Sequence, residues 1–299
     1  ITFSYDSQNR KRTVKYPNGV SIGYHYNAAN VVSQITLLDQ HGKEIQRQDY
    51  EYDGLKRLIK ISDSKGESRQ FRYDVNGQLI QAVRGTQEKT FHYASSLKRL
   101  VDIQGEDVKQ FQYNQAGQLI KKSTHVMEYD GSGNLAKITG HDEESLFRFN
   151  AAGMLTTIQT PSETVQYTYS PEDQRVRKQV GPIETSYLYD GKNLLMVLDK
   201  DHHPLQTFIQ GNFIDSPLVM LQKNDAYYFL PDQQGSTIGL VNDEGTVTTR
   251  YEYDPFGRIT RKGEELDNPL PYTGRFYDSE SGLYYYRARY YAPNLGVFL

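Results

Sequence analysis

Phe71-Arg72-Tyr73-Asp74-Val75-Asn76-Gly77-Gln78-Leu79-Ile80-Gln81-Ala82-Val83 holds one structural unit of this chain. Phe71 and Tyr73 stand two residues apart, so in a strand both rings fall on one face. Asp74 is placed to open a turn by accepting a hydrogen bond from the backbone two residues on. Gly77 can take the positive φ that closes it. Leu79 to Val83 then alternates as a second strand. A further turn at Gly85 leads onward, so the stretch predicts one β-hairpin.

The unit repeats. Related aromatic-x-aromatic-Asp/Asn signatures occur at Phe3–Asp6, Tyr24–Asn27, Tyr50–Asp53, Phe111–Asn114 and Tyr187–Asp190. A further full copy is Phe147–Asn150, and looser copies occur at Phe91–Ala94, Met127–Asp130 and Tyr167–Ser170. The second ring falls at positions 5, 26, 52, 73, 93, 113, 129, 149, 169 and 189, mostly 20 or 21 residues apart. A lone hairpin is marginal in water, so successive hairpins are expected to pair into one continuous sheet. Long sheets twist. The expected fold is therefore all-β, a long spiralling antiparallel sheet of hairpins with an aromatic face.

Composition fits this reading. The 299 residues include 25 Tyr and 12 Phe but no Trp, and mean hydropathy is -0.71. Tyrosine rings supply apolar area to such a polar chain while their hydroxyls stay hydrogen-bonded. The 34 Lys and Arg and 37 Asp and Glu give a formal charge of -3, so no cationic excess draws the chain to nucleic acid. No apolar run is long enough for a membrane span. The first residues lack the pattern of a signal peptide and begin inside a repeat, so the chain reads as a piece of something longer. There is no cysteine, hence no disulfide and no thiolate zinc site.

The regular beat stops after Gly191, dividing the sequence into a hairpin array, residues 1–191, and a second region, residues 192–299. Near the end stand Tyr253-Asp254-Pro255-Phe256-Gly257 and Tyr272-Thr273-Gly274-Arg275-Phe276-Tyr277-Asp278-Ser279-Glu280-Ser281-Gly282-Leu283-Tyr284-Tyr285-Tyr286-Arg287-Ala288-Arg289-Tyr290-Tyr291. With these motifs the chain resembles the Rhs/YD-repeat family. The array resembles YD repeats. Residues from about 227 onward resemble the Rhs-associated core domain of bacterial polymorphic toxins, toxin-complex C subunits and, more distantly, teneurins.

The resemblance implies a shell wall that encloses and helps deliver a C-terminal toxin domain, with the core region closing one end. The implied partners are that toxin domain, the rest of the shell (N-terminal repeats or a B-type subunit) and a secretion-system component. The implied setting is a bacterial protein secreted or delivered to a target cell. In many members the core also cuts the chain downstream by aspartic-protease-like chemistry, in which two carboxyls share a proton. Here Asp278 is the candidate carboxylate, and Arg275 the candidate neighbour that keeps it ionised. The bland alternative is that Asp278 is one more turn-opening aspartate. Ala292 and Val297 replace the family's usual Asp and Arg, which weakens the case for cleavage. A third reading, adhesion or carbohydrate binding, rests on the density of rings.

No cofactor or metal is expected. The histidines, His25, His41, His92, His125, His141, His202 and His203, are scattered, and only Asp201-His202-His203 clusters. Asp130-Gly131-Ser132-Gly133-Asn134 resembles a calcium loop but lacks the later glutamate and sits in register with the repeat. Asp232-Gln233-Gln234-Gly235-Ser236 reads as a turn of the core region. No nucleophile elbow, phosphate loop or zinc-protease motif occurs.

Overall fold

A computed structural model describes residues 1–94, 99–105, 109–140 and 143–299; His141 lies outside them. Among the described residues there is no helix, and the all-β expectation holds: a 26-stranded antiparallel sheet accompanies a smaller one of four short strands. Strands pair in chain order. Thr2–Tyr5 pairs with Lys11–Lys15, which pairs with Ser21–Tyr26, and the same rule governs Arg175–Val180 between its two neighbours. Ile183–Asp190 pairs with Asn193–Leu198, so pairing does not pause where the 20-residue beat does. The chain forms two compact units, Ile1–Phe111 with Asp243–Thr246, and Gln112–Asn242 with Val247–Leu299.

The turns follow the repeat's chemistry. At Asp74, Oδ1 accepts from the amides of Asn76 (2.9 Å) and Gln78 (2.8 Å). The amide of Gly77, at φ 82°, donates to the Asp74 carbonyl. Most such turns are followed by a β-bulge, although the Asp254 turn is not. Arg72 opposes Gln81 but Tyr73 opposes Leu79, leaving Ile80 as the extra residue, and the same slip recurs at Tyr5, Tyr26, Tyr52, Phe149 and Tyr169. A bulge bends the strand and disturbs its ladder.

The two rings have different tasks. The first is mostly buried: Tyr24, Tyr50, Phe91, Phe111, Phe147, Tyr167, Tyr187 and Tyr251 all lie in the core, whereas Phe3 and Phe71 are half-buried. The second is half-buried, and its hydroxyl reaches back to the preceding hairpin. Tyr26 donates to the Lys11 carbonyl (2.8 Å), Tyr52 to Val32 (2.8 Å), Tyr73 to Leu58 (2.9 Å), Tyr93 to Leu79 (2.9 Å), Tyr169 to Leu155 (2.6 Å) and Tyr189 to Arg175 (2.8 Å). Each receiving carbonyl belongs to a residue that begins the second strand, at or beside the bulge. Where the second ring is one of these tyrosines, its hydroxyl pins the hairpin to the one before it.

Candidate functional site

The site grows from a break in the repeat. Six residues after the second ring stand Leu58, Leu79, Leu119, Leu135 and Leu155. Of these, Leu119, Leu135 and Leu155 are fully buried. After Tyr169 the same position is Arg175, which is 0% exposed. The bulge register that turns leucine into the core turns this guanidinium inward too.

The residues that receive Arg175 come largely from the end of the chain. Phe276–Asp278, Leu283–Tyr285, Tyr290–Ala292 and Val297–Phe298 form the four-stranded sheet. Nη1 of Arg175 donates to Oδ2 of Asp278 (2.5 Å) and to the Tyr290 hydroxyl (3.3 Å). Its guanidinium carbon lies 4.4 Å from the ring centre of Phe276, 4.7 Å from Tyr285 and 5.9 Å from Tyr290. Tyr167 and Tyr187 of the array close the cage at 5.1 Å each. Nε and Nη2 have no hydrogen-bond partner, although both are buried. Ring faces surround them, and the attraction there is cation–π.

Asp278 is 0% exposed. Oδ2 also accepts from the Tyr167 hydroxyl (3.1 Å), and Oδ1 faces Nζ of Lys178 at 3.4 Å. Lys178 bridges onward to Glu280. The two cations and two carboxylates balance, as burial of charge requires. Burial weighs against the charge of Arg175, but Asp278 and the tyrosines outweigh it, so its pKa moves up. Lys178 follows the same logic and also moves up. Burial, then the negative charge of Asp278, pushes the Tyr167 hydroxyl well above its ordinary value.

The structure separates the two residues singled out in sequence. Arg275 pairs with Asp215 (3.1 Å), which also holds Arg287 (2.6 Å). The guanidinium at Asp278 is that of Arg175, one hundred and three positions away. Asp278 still opens a turn, its carbonyl accepting from the Gly282 amide (2.8 Å), one residue further on than in the repeat turns. Its carboxylate differs, because it bonds to the array instead of to its own loop. Ala292, where the family usually has Asp, is buried, and its carbonyl accepts from the amides of Leu295 and Gly296.

More anchors tie the terminal segment to the strands and turns of the long sheet, most of them in residues 192–263. Tyr284 donates to the Gly257 carbonyl (3.0 Å) and Tyr291 to Phe256 (2.9 Å). The Tyr253 hydroxyl donates to Pro271 (2.7 Å), and the Thr237 amide donates to the same carbonyl (2.7 Å). Gln206 reaches the Asp267 carbonyl and Lys122 that of Asn294. The remaining candidate sites are turns. Asp199, Asp201 and His203 gather their ligand atoms at the surface, where Asp199 Oδ1 already accepts the amides of Asp201 and His203. Asp130 and Asp232 make the same turn bonds.

A paired hairpin array whose closing tyrosine-rich sheet sits on it is a specific arrangement, and it has a family. The model of the teneurin YD-shell matches residues 38–299. The chain belongs to this YD-shell family. Among YD-shell relatives, the tRNA nuclease WapA of Bacillus subtilis is 29% identical over the whole chain, which covers 13% of that protein. The probable deoxyribonuclease RhsB of Dickeya dadantii is 24% identical, again over the whole chain, which covers 22% of it. The chain thus spans a minor part of the relatives it matches. The crystal structure of TcdB2-TccC3-TEV superposes with a TM-score of 0.70 at 16% identity, covering 100% of this chain and 18% of that one, and so shares the fold.

Proposed function

We propose that this chain is the wall and closing segment of a bacterial YD shell that encloses a toxin domain for delivery. The observation that carries the reading is a contrast among the relatives. One is named a tRNA nuclease, another a probable deoxyribonuclease and a third a double-stranded DNA deaminase toxin, yet all match this one stretch. Their names differ in the chemistry they state, and what they share is sequence along this stretch. A shared stretch beside variable activities suits a container. The partners of this reading are the enclosed toxin, the remaining shell and the apparatus that delivers it.

The geometry of Asp278 supports anchoring over cleavage. Both carboxylate oxygens are occupied by Arg175, Tyr167 and Lys178. Aspartic-protease chemistry needs two carboxyls that share a proton, whereas the neighbouring carboxylate of Glu280 meets Asp278 through the ammonium of Lys178. Adhesion through stacked rings is disfavoured likewise, since most of the first rings are buried and the second rings' hydroxyls are engaged.

The test is protease protection in the intact protein. A toxin domain inside the shell should survive limited proteolysis that cleaves the same domain expressed alone, and electron microscopy should show a hollow particle. Equal cleavage of both, with an open sheet in the images, would reject the container.

A further inference from the structure

The cage around Arg175 can be taken apart by origin. Phe276, Tyr285, Tyr290 and the carboxylate of Asp278 belong to the terminal segment, whereas Arg175 projects from an array hairpin. We propose that the terminal segment carries an arginine receptor, a built site for a guanidinium presented by a β-strand, and that Arg175 is its resident ligand. The receptor deepens the closure reading and rests on it, because occupancy of the cage is what seats the terminal segment on the array.

Three observations carry this. First, recognition is by ring faces more than by hydrogen bonds. Only Nη1 has polar partners, while Nε and Nη2 meet rings. A flat, weakly hydrated guanidinium suits such a cage, whereas a compact and strongly hydrated ammonium does not. Second, the carboxylate already faces an ammonium, that of Lys178, at the looser distance of 3.4 Å. That ammonium is shared with Glu280, so a second cation is needed at Asp278, and the rings around it suit a guanidinium over another ammonium. Third, the rest of the cage is tied to the same hairpin. The Tyr285 hydroxyl accepts from the Arg175 amide (3.1 Å) and donates to the Asp173 carbonyl (3.3 Å), and the Tyr290 hydroxyl meets that of Tyr169 (3.0 Å).

The site also selects. At the matching position, opposite the second ring, other described hairpins present an aliphatic residue, such as Val32, Leu58, Leu135, Leu155 or Ile259, or, in the first hairpin, Lys11. A leucine there would leave Asp278 buried beside Lys178 without its closer partner. The terminal segment can thus distinguish the 169–180 hairpin from its near-identical neighbours, which fixes where along the repeats the end of the chain docks. A repeating surface offers many similar seats, and one arginine marks the right one.

Chemical rescue tests this. The whole chain is prepared with Arg175→Ala, and amide exchange is followed across residues 276–292. Exchange there should rise roughly a hundredfold or more, because a buried carboxylate has lost its partner, while strands Ser21–Tyr26 and Val32–Leu38 stay protected. Millimolar methylguanidinium should restore protection, whereas ammonium or sodium chloride at equal ionic strength should not. Arg175→Lys, which keeps the charge and most of the volume, should stay loose and serves if the alanine variant does not fold. Wild-type protection in Arg175→Lys, or equal rescue by ammonium and methylguanidinium, would overturn the proposal. Failure of the container reading looks different: wild-type protection at 276–292 beside an unprotected toxin domain.

Discussion

Tyr129-Asp130 and Tyr277-Asp278 are the same dipeptide doing opposite things. Asp130 is exposed, and Oδ1 bonds the amides of Ser132 and Asn134, two and four residues on, at 2.9 Å each. Asp278 has no exposure at all and bonds Arg175, Tyr167 and Lys178, all at least a hundred residues earlier. Both open turns through their carbonyls. The difference is what lies above the loop. Asp130 has solvent there, and its carboxylate folds back on its own backbone. Asp278 lies between two layers, where only a cation can hold it. Repeat chemistry is local, and closure chemistry is not.

The largest expected effect comes from breaking the non-local pair. Arg175→Leu gives the hairpin the residue its neighbours already use, so the array should keep its fold. The terminal segment should lose about 3–5 kcal/mol, the usual cost of stranding one partner of a buried ion pair. Adding Asp278→Leu should recover most of that loss, since replacing both charges by apolar groups is often neutral. Urea unfolding of the two single variants and the double variant measures the coupling. Additive losses would mean that the pair does not act as a unit.

A glycine comparison comes next. Gly153 (φ 76°) closes an array turn with nothing within 4 Å of a Cβ built on it, so Gly153→Ala should cost about 1–2 kcal/mol, the strain of a left-handed backbone alone. Gly274 (φ 65°) is backed by the Asp215 carbonyl, 2.3 Å from where a Cβ would sit. Gly274→Ala adds displacement of Asp215 from Arg275 and Arg287, and should cost clearly more. Similar melting temperatures for the two variants would remove the distinction.

This contrast also explains what could be read from sequence. Hairpins, turn aspartates and closing glycines were legible because their bonds span two to four residues. The aromatic face was legible because strands alternate. The seat was not. Asp278 could be singled out by its motif, but Arg275 was the wrong partner, because sequence proximity does not rank partners across a fold. One signal for Arg175 did exist: a charge at a position where Leu135 and Leu155 sit in the two preceding units. It becomes visible only when the repeats are aligned and compared position by position. The tyrosine hydroxyl links were likewise hidden, since period 2 gives the face of a ring but not the strand its hydroxyl reaches.

Those links give a smaller effect. Tyr73→Phe removes the bond to the Leu58 carbonyl and leaves the ring. A single such bond is worth about 0.5–1.5 kcal/mol net, and Phe149 already holds the corresponding place in its own unit. The loss should fall on both hairpins that Tyr73 joins, read as faster amide exchange in Leu58–Asp63 and Ser68–Tyr73 together. Loosening of Ser68–Tyr73 alone would show that the hydroxyl does not join the units.

The smallest effects per residue belong to the turn aspartates, but they add along the array and have a defined pH window. Hydrogen bonds lower the pKa of Asp6, Asp39, Asp53, Asp130 and Asp199 from 3.8; the Arg10 side chain leads at Asp6, the Lys43 amide at Asp39 and the Asn134 side chain at Asp130. A carboxyl whose folded pKa lies below its unfolded value stabilises the fold fully above the unfolded value. That contribution disappears as pH falls through the folded value. The array should therefore hold constant stability from neutral pH to about 4 and soften below it. Asp130→Asn separates charge from geometry. Asn150 already makes the same turn, accepting from Ala152 (3.0 Å) and Met154 (2.9 Å) through Oδ1. The variant should keep the turn at pH 7 and flatten the acid decline in thermal melts, because an amide oxygen accepts those bonds without titrating. If Asp130→Asn shows the same acid slope as the parent, the decline does not arise at this turn.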